Sequence, residues 1–178
     1  MHIPPSFKSK FAACFAAAVL MFANSCDKGL SPRPAPATLA LVPLAGPVTL
    51  AVCPSSQTQS ASRIISLLGG TVAIGGTSVV VPLGALLSPT SIALEIPASQ
   101  LMYVDVTANG GSFLFKKAIA ITIDYSRCSA AIKQKTLSVW NIDPNTHALL
   151  QNMGGIDNKL THQITFTTIH LSGYALAF

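Results

Sequence analysis

Charge is scarce in this chain. Among 178 residues there are 11 Lys and Arg and 6 Asp and Glu, 10% charged in all, against roughly 25% in an ordinary soluble protein. So few charges exclude an acidic or basic disordered chain. Long apolar runs are also missing. None reaches the roughly 18–20 residues that a membrane-spanning helix needs. There is no GxSxG, no Walker sequence, and no CxxC or HxxxH spacing, so the common hydrolase, phosphate-loop and metal signatures have no foothold. No repeat of about 20–50 residues recurs, which argues against a solenoid or propeller. The length is too short for two large domains, and half of the residues are apolar, enough to bury one core.

What is present begins with an address. Residues 1–10 carry Lys8 and Lys10 and no acid, and residues 11–23 (FAACFAAAVLMFA) are apolar without a break. A basic start, a short apolar stretch and small residues after it read as a secretory signal peptide over residues 1–25. As a helix the apolar stretch would span only about 20 Å, too little to hold a bilayer. The run Ala23-Asn24-Ser25-Cys26 resembles the lipobox of bacterial lipoproteins. Ser25 and Cys26 fit that pattern, while Ala23 and Asn24 depart from its preferred Leu and small residue. The resemblance implies that Cys26 carries the lipid and becomes the mature N-terminus, a strong membrane anchor when several acyl chains are attached. Ordinary cleavage nearby, leaving Cys26 a thiol, is the alternative. Loss of residues 1–25 leaves nine basic and six acidic side chains. The densest basic cluster is then Lys116-Lys117, which is no nucleic-acid footprint.

Cys14 would leave with the signal peptide. Cys53 and Cys128 then remain in an exported, oxidising setting, where two thiols usually pair. Two separate buried thiols are the alternative. Residues 26–62 read as the lipidated Cys and a Pro-, Ala- and Ser-rich linker, with an edge strand ending near Cys53 and a polar loop over residues 54–62.

Residues 63–178 read as β. Short β-branched runs alternate with turn residues every 8–12 positions, which predicts an all-β antiparallel sandwich. In Ala118–Tyr125, Ile119, Ile121 and Ile123 share one face. Asn109-Gly110-Gly111 is a hairpin signal, Trp140 is a candidate core anchor, and Ala130–Lys135 is the one helical candidate.

Two stretches carry a family likeness. Gly69-Gly70-Thr71-Val72, followed by Ser78-Val79-Val80-Val81-Pro82-Leu83-Gly84-Ala85-Leu86, resembles the ZU-five domain, and His170-Leu171-Ser172-Gly173-Tyr174-Ala175-Leu176 is similar to the ending of bacterial ZU-five-like lipoproteins. The resemblance covers residues 63–178 and implies a β-sandwich interaction module, as in ankyrins, netrin receptors and zonula occludens proteins. His170-Leu171-Ser172 also resembles an autoproteolysis motif. There His170 would act as general base and Ser172 Oγ would attack the Leu171 carbonyl, cleaving between Leu171 and Ser172. The plain alternative is a turn in which His170 and Ser172 bond to backbone.

Glu95, Asp105, Asp124, Asp143 and Asp157 are scattered, mostly one per strand or turn. Asp143-Pro144-Asn145 and Asp157-Asn158 read as turns rather than Ca²⁺ loops, and His147 and His162 are isolated. No metal or cofactor is expected. The expectation is a lipid-anchored protein of the cell envelope, facing periplasm or cell exterior. It would present a non-enzymatic β-sandwich to an unknown protein or envelope partner. Self-cleavage and a secreted hydrolase of unknown substrate are the rivals.

Overall fold

A computed structural model describes residues 47–111 and 113–178. The expected signal segment 1–25, the expected lipid-bearing Cys26 and the part of the expected linker up to residue 46 lie outside the described residues. None of the described helices is long and apolar enough to cross a membrane.

Eleven strands form two packed antiparallel sheets: β1 (Gln59–Ile65), β2 (Gly70–Ile74), β3 (Thr77–Val81), β4 (Thr90–Ile96), β5 (Tyr103–Ala108), β6 (Leu114–Asp124), β7 (Ser138–Ile142), β8 (Leu149–Gly154), β9 (Ile156–Asn158), β10 (Gln163–His170) and β11 (Gly173–Ala177). One sheet runs β1-β4-β5-β11-β7-β8 and the other β2-β3-β6-β10-β9. The fold is an all-β sandwich, as the alternation of the sequence predicts. Its core is made by inward positions two residues apart: Ile92 and Leu94 on β4, Val104 and Val106 on β5, and Ile119, Ile121 and Ile123 on β6, all fully buried. The helical candidate is a single turn, α1 (Ala130–Lys133), with Ser129 as its N-cap.

The two parts of the first stretch that carries the family likeness pair with each other. Gly70 lies opposite Val81 in the β2–β3 ladder. Gly69 (φ +83°) lies so close to Val81–Pro82 that an added Cβ would sit 2.3 Å from the Val81 carbonyl oxygen. Only glycine fits there, for both reasons.

Several expectations are corrected. Residues 59–62 are not loop but the first half of β1, which pairs with β4 from Gln59↔Ile96 onward. The β-domain therefore begins before residue 63. It also takes in Thr49–Cys53. Thr49 and Phe178 exchange both backbone hydrogen bonds, and Ala51 donates to Leu176 while accepting from Met102. Polarity misleads over residues 54–62 because β1 is an edge strand with mostly exposed side chains. Asn109-Gly110 does form a left-handed turn (φ 50° and 77°), but it is not a hairpin within one sheet. It carries the chain from β5 in one sheet to β6 in the other. Asp157-Asn158 lies in β9, and the turn follows it. Trp140 is half-exposed, because Val139 and Asn141 take the inward positions of β7.

Cys53 and Cys128 form a disulfide across 75 residues, and both are buried. Arg127, beside it, donates from its guanidinium to the carbonyls of Pro54 (2.5 Å), Ser99 (3.2 Å) and Leu101 (3.2 Å). The bridge and this arginine together fasten the Cys53 segment to the β4–β5 and β6–β7 connections. A closed loop of this size stabilises by about 4 kcal/mol in the chain-entropy picture. The double Cys53→Ser, Cys128→Ser variant is therefore expected to melt lower than the oxidised protein. Reductant should lower only the wild type; equal melting of the two proteins without reductant would remove the claim.

Candidate functional site

The His170-Leu171-Ser172 stretch is the crossover from β10 in one sheet to β11 in the other. Its backbone is tied on both sides. Leu171 N–H donates to Phe113 C=O at 3.1 Å, and Ser172 C=O accepts from Val106 N–H at 3.2 Å. Leu171 itself is buried. Just before the crossover the β6–β10 register breaks between Thr168 and His170. Thr168 Oγ1 meets the irregular backbone: it accepts from His170 N–H and donates to His170 C=O, each at 3.2 Å. The same carbonyl accepts from Tyr174 Oη at 2.6 Å. Tyr174 is buried in the core, and burial pushes its hydroxyl pKa up to about 12. It stays a neutral donor.

The imidazole and the serine do not bond to each other. Both bond to Asn141, which β7 projects inward from the facing edge of the crevice. Asn141 Nδ2 lies 2.8 Å from His170 Nε2, and Ser172 Oγ lies 3.4 Å from both Asn141 Oδ1 and Ile142 C=O. His170 Nδ1 lies 3.2 Å from Thr168 Oγ1. A proton on Nδ1, pointed at Thr168, satisfies this whole set. Nε2 then accepts from the asparagine amide, and Oδ1 is free to accept from Ser172. The tautomer follows from the network of bonds. Above these groups lies an open cleft of about 530 Å³, walled by Phe113, Leu114 and Leu150 and floored by Asn141, His170 and Ser172.

Chemically, this arrangement is a polar floor under apolar walls. The autoproteolysis motif needs His170 to take the proton of Ser172 Oγ, and a nucleophile and its base must lie within hydrogen-bond reach. Here the accepting nitrogen of His170 faces Asn141, and the serine bonds to Asn141 and Ile142. Asn141 belongs to no sequence motif. The one available signal is its parity with Val139 in the strand Ser138–Ile142, which places an amide on the buried face. Trp140, the bulkier neighbour, obscures that parity.

The remaining sequence candidates fall elsewhere. Asp143 Oδ1 accepts the N–H groups of Asn145 and Thr146 in the β7–β8 turn, and these bonds lower its pKa. Asp157 accepts from Tyr125 Oη at 2.5 Å and pairs with Lys159 at 2.6 Å. Burial, and next this carboxylate, push the Tyr125 hydroxyl well above its ordinary value. His147 and His162 both occupy left-handed turn positions (φ 57° and 55°). Glu95 and Asp105, ten residues apart, stand opposite each other on the consecutive strands β4 and β5. Both face outward, Glu95 exposed and Asp105 half-buried, and burial raises the pKa of Asp105. Among the described residues, no three His, Cys, Asp or Glu side chains gather as a metal-binding group.

Removing the amide hub strands His170 and Ser172 at once. Asn141→Ala is expected to lose about 1–3 kcal/mol of stability in urea unfolding. Ser172→Ala, which gives up only two long bonds, should lose less than about 1 kcal/mol. Asp105 has its pKa raised in the fold, so the folded state holds its proton more tightly than the unfolded chain does. Stability from this group is complete below the ordinary carboxylate pKa and declines as pH rises through the raised one. Asp105→Asn should therefore raise the melting temperature at pH 7 and leave it nearly unchanged near pH 3, as thermal scans at the two values would read.

Scans of the chain against protein-family models and against curated proteins match nothing.

Proposed function

We propose that this chain is an exported, lipid-anchored protein of the bacterial cell envelope. Residues 1–25 direct export, Cys26 bears the lipid, and a ZU-five-like sandwich is presented on the periplasmic or outer side as a non-enzymatic interaction domain. The observation that carries the reading is the buried Cys53–Cys128 disulfide, the kind of bond that oxidising compartments maintain. It agrees with an N-terminal stretch that reads as an export signal. The family part of the proposal draws support from the Gly69–Val81 contact, which gives one physical reason for the Gly69–Val72 and Val79–Leu86 parts of the first stretch to occur together. The non-enzymatic part draws support from the crossover, where His170 and Ser172 are each engaged by Asn141.

Self-cleavage between Leu171 and Ser172 is the second reading. In its favour, the motif occupies a tied crossover directly before the last strand, and β11 is buried along its whole length, so a cut would leave it held in place. The hydrolase reading has the facing pair Glu95 and Asp105 as its carboxylates, and these sit on an outward sheet surface rather than in the cleft.

Intact mass of the mature protein, purified from membranes in detergent and denatured without reductant, separates these readings. The expected species is Cys26–Phe178 plus acyl chains, less two hydrogens. A species ending at Leu171, accompanied by the peptide Ser172–Phe178 and abolished by Ser172→Ala, would put self-cleavage first. A mass without lipid would take the protein off the membrane.

A further inference from the structure

Scattered single apolar residues are ordinary on a protein surface, whereas a cluster of them marks a contact. Such a cluster stands at one end of the sandwich. Leu67 (47% exposed) and Leu68 (81%) form the tip of the β1–β2 connection, and Leu83 (62%) and Leu87 (73%) lie in the β3–β4 connection. The two connections are joined: Gly84 N–H donates to Leu67 C=O at 2.9 Å. Cations are fastened to the same place. Lys117 Nζ donates to Leu83 C=O at 2.8 Å, and the preceding residue, Lys116, is exposed and tied to Ala85 C=O through its backbone N–H at 3.0 Å. Arg63, exposed on β1 opposite Ile92, donates across to Thr71 C=O of the facing sheet at 3.4 Å. No Asp or Glu occurs anywhere in residues 63–94 or 106–123. The acid that shares this end, Asp143, lies beyond β7, toward the opposite edge of the six-stranded sheet.

We propose that this end is a membrane-docking surface: Leu67, Leu68, Leu83 and Leu87 enter the acyl region of an anionic bilayer, and Arg63, Lys116 and Lys117 meet its phosphate headgroups. Aliphatic side chains at loop tips with cations beside them match a lipid interface, apolar below and anionic at headgroup level. The charge favours lipid over a second copy of the chain, because the same patch would face its own cations. Aromatic anchors, the usual centre of a protein–protein contact, are lacking among the four exposed side chains. The surface is independent of Cys26. Any twenty-residue segment spans at most about 70 Å, so an anchor at Cys26 leaves either end of the sandwich free to meet the same bilayer.

The test places a single tryptophan in the full chain, on a Trp140→Phe background, and reads its quenching by brominated acyl chains in vesicles of phosphatidylcholine and phosphatidylglycerol. The probes are Leu68→Trp and Leu87→Trp, either of which serves if the other fails to fold. The control is Leu160→Trp, 94% exposed in the β9–β10 turn at the far end. The Leu68 and Leu87 probes should be quenched severalfold more than the control. Lys116→Glu with Lys117→Glu, or vesicles of phosphatidylcholine alone, should bring them down to it. Equal quenching of probes and control overturns the proposal. So does a blue shift of the Leu68 probe that brominated lipid leaves unquenched and dilution reverses, which would assign the leucines to a protein contact. Lipidated and unlipidated protein, told apart by mass, are compared side by side, so failure of the anchor and failure of this surface are read separately.

Discussion

The burial of β11 is the constraint on which the rest of the sandwich depends. This last strand lies between β5 and β7 in the six-stranded sheet, and all five of its residues are buried. Its two faces are built differently. Tyr174 and Leu176 enter the core, whereas Gly173, Ala175 and Ala177 face the other way. Ala175 stands in register between Tyr103 and Trp140, whose larger side chains close over a small one. The strand also receives the start of the described chain, through the paired hydrogen bonds of Thr49 and Phe178. The two ends of the domain therefore meet at one strand, and the sheet stays incomplete until the final residues are in place. Contacts of such long sequence separation fold slowly, which gives the disulfide a natural role in restricting the chain beforehand.

The crossover geometry follows from the same strand. Because β10 and β11 belong to different sheets, residues 170–172 must bridge the layers, and their polar groups would be buried without partners. Thr168, Tyr174 and Asn141 supply those partners, one from each element that meets there. Buried polar groups are satisfied as a network or they are expensive, and this network holds His170 and Ser172 apart from each other.

The two ends of the sandwich differ in kind. One carries loop-tip leucines with the Lys117 ammonium hydrogen-bonded to the same loops; the other has Leu160 exposed near the Asp157–Lys159 ion pair. The open cleft over Asn141 lies at the leucine end too, since the β10–β11 crossover and the β1–β2 connection both close that side of the sandwich.

Much of the architecture was legible in the chain alone. Period-two runs such as Ile119, Ile121 and Ile123 determine strands and their buried faces, because a pleated strand alternates its side chains by geometry. Reading the N-terminus as an export signal leaves two cysteines to pair, and Cys53 and Cys128 do form a disulfide. The tertiary structure decided what periodicity does not encode. It made residues 59–62 a strand, since an edge strand tolerates polar side chains on both faces. It placed the Asn109-Gly110 turn between sheets rather than within one, since a turn sequence specifies the local bend and not the partner. It put Asn141 rather than Trp140 inward, since the parity of β7 is set by its neighbours β11 and β8. And it joined His170 and Ser172 through an amide 29 and 31 residues away, because hydrogen-bond partners are chosen by proximity in space, which only the packed sheets supply.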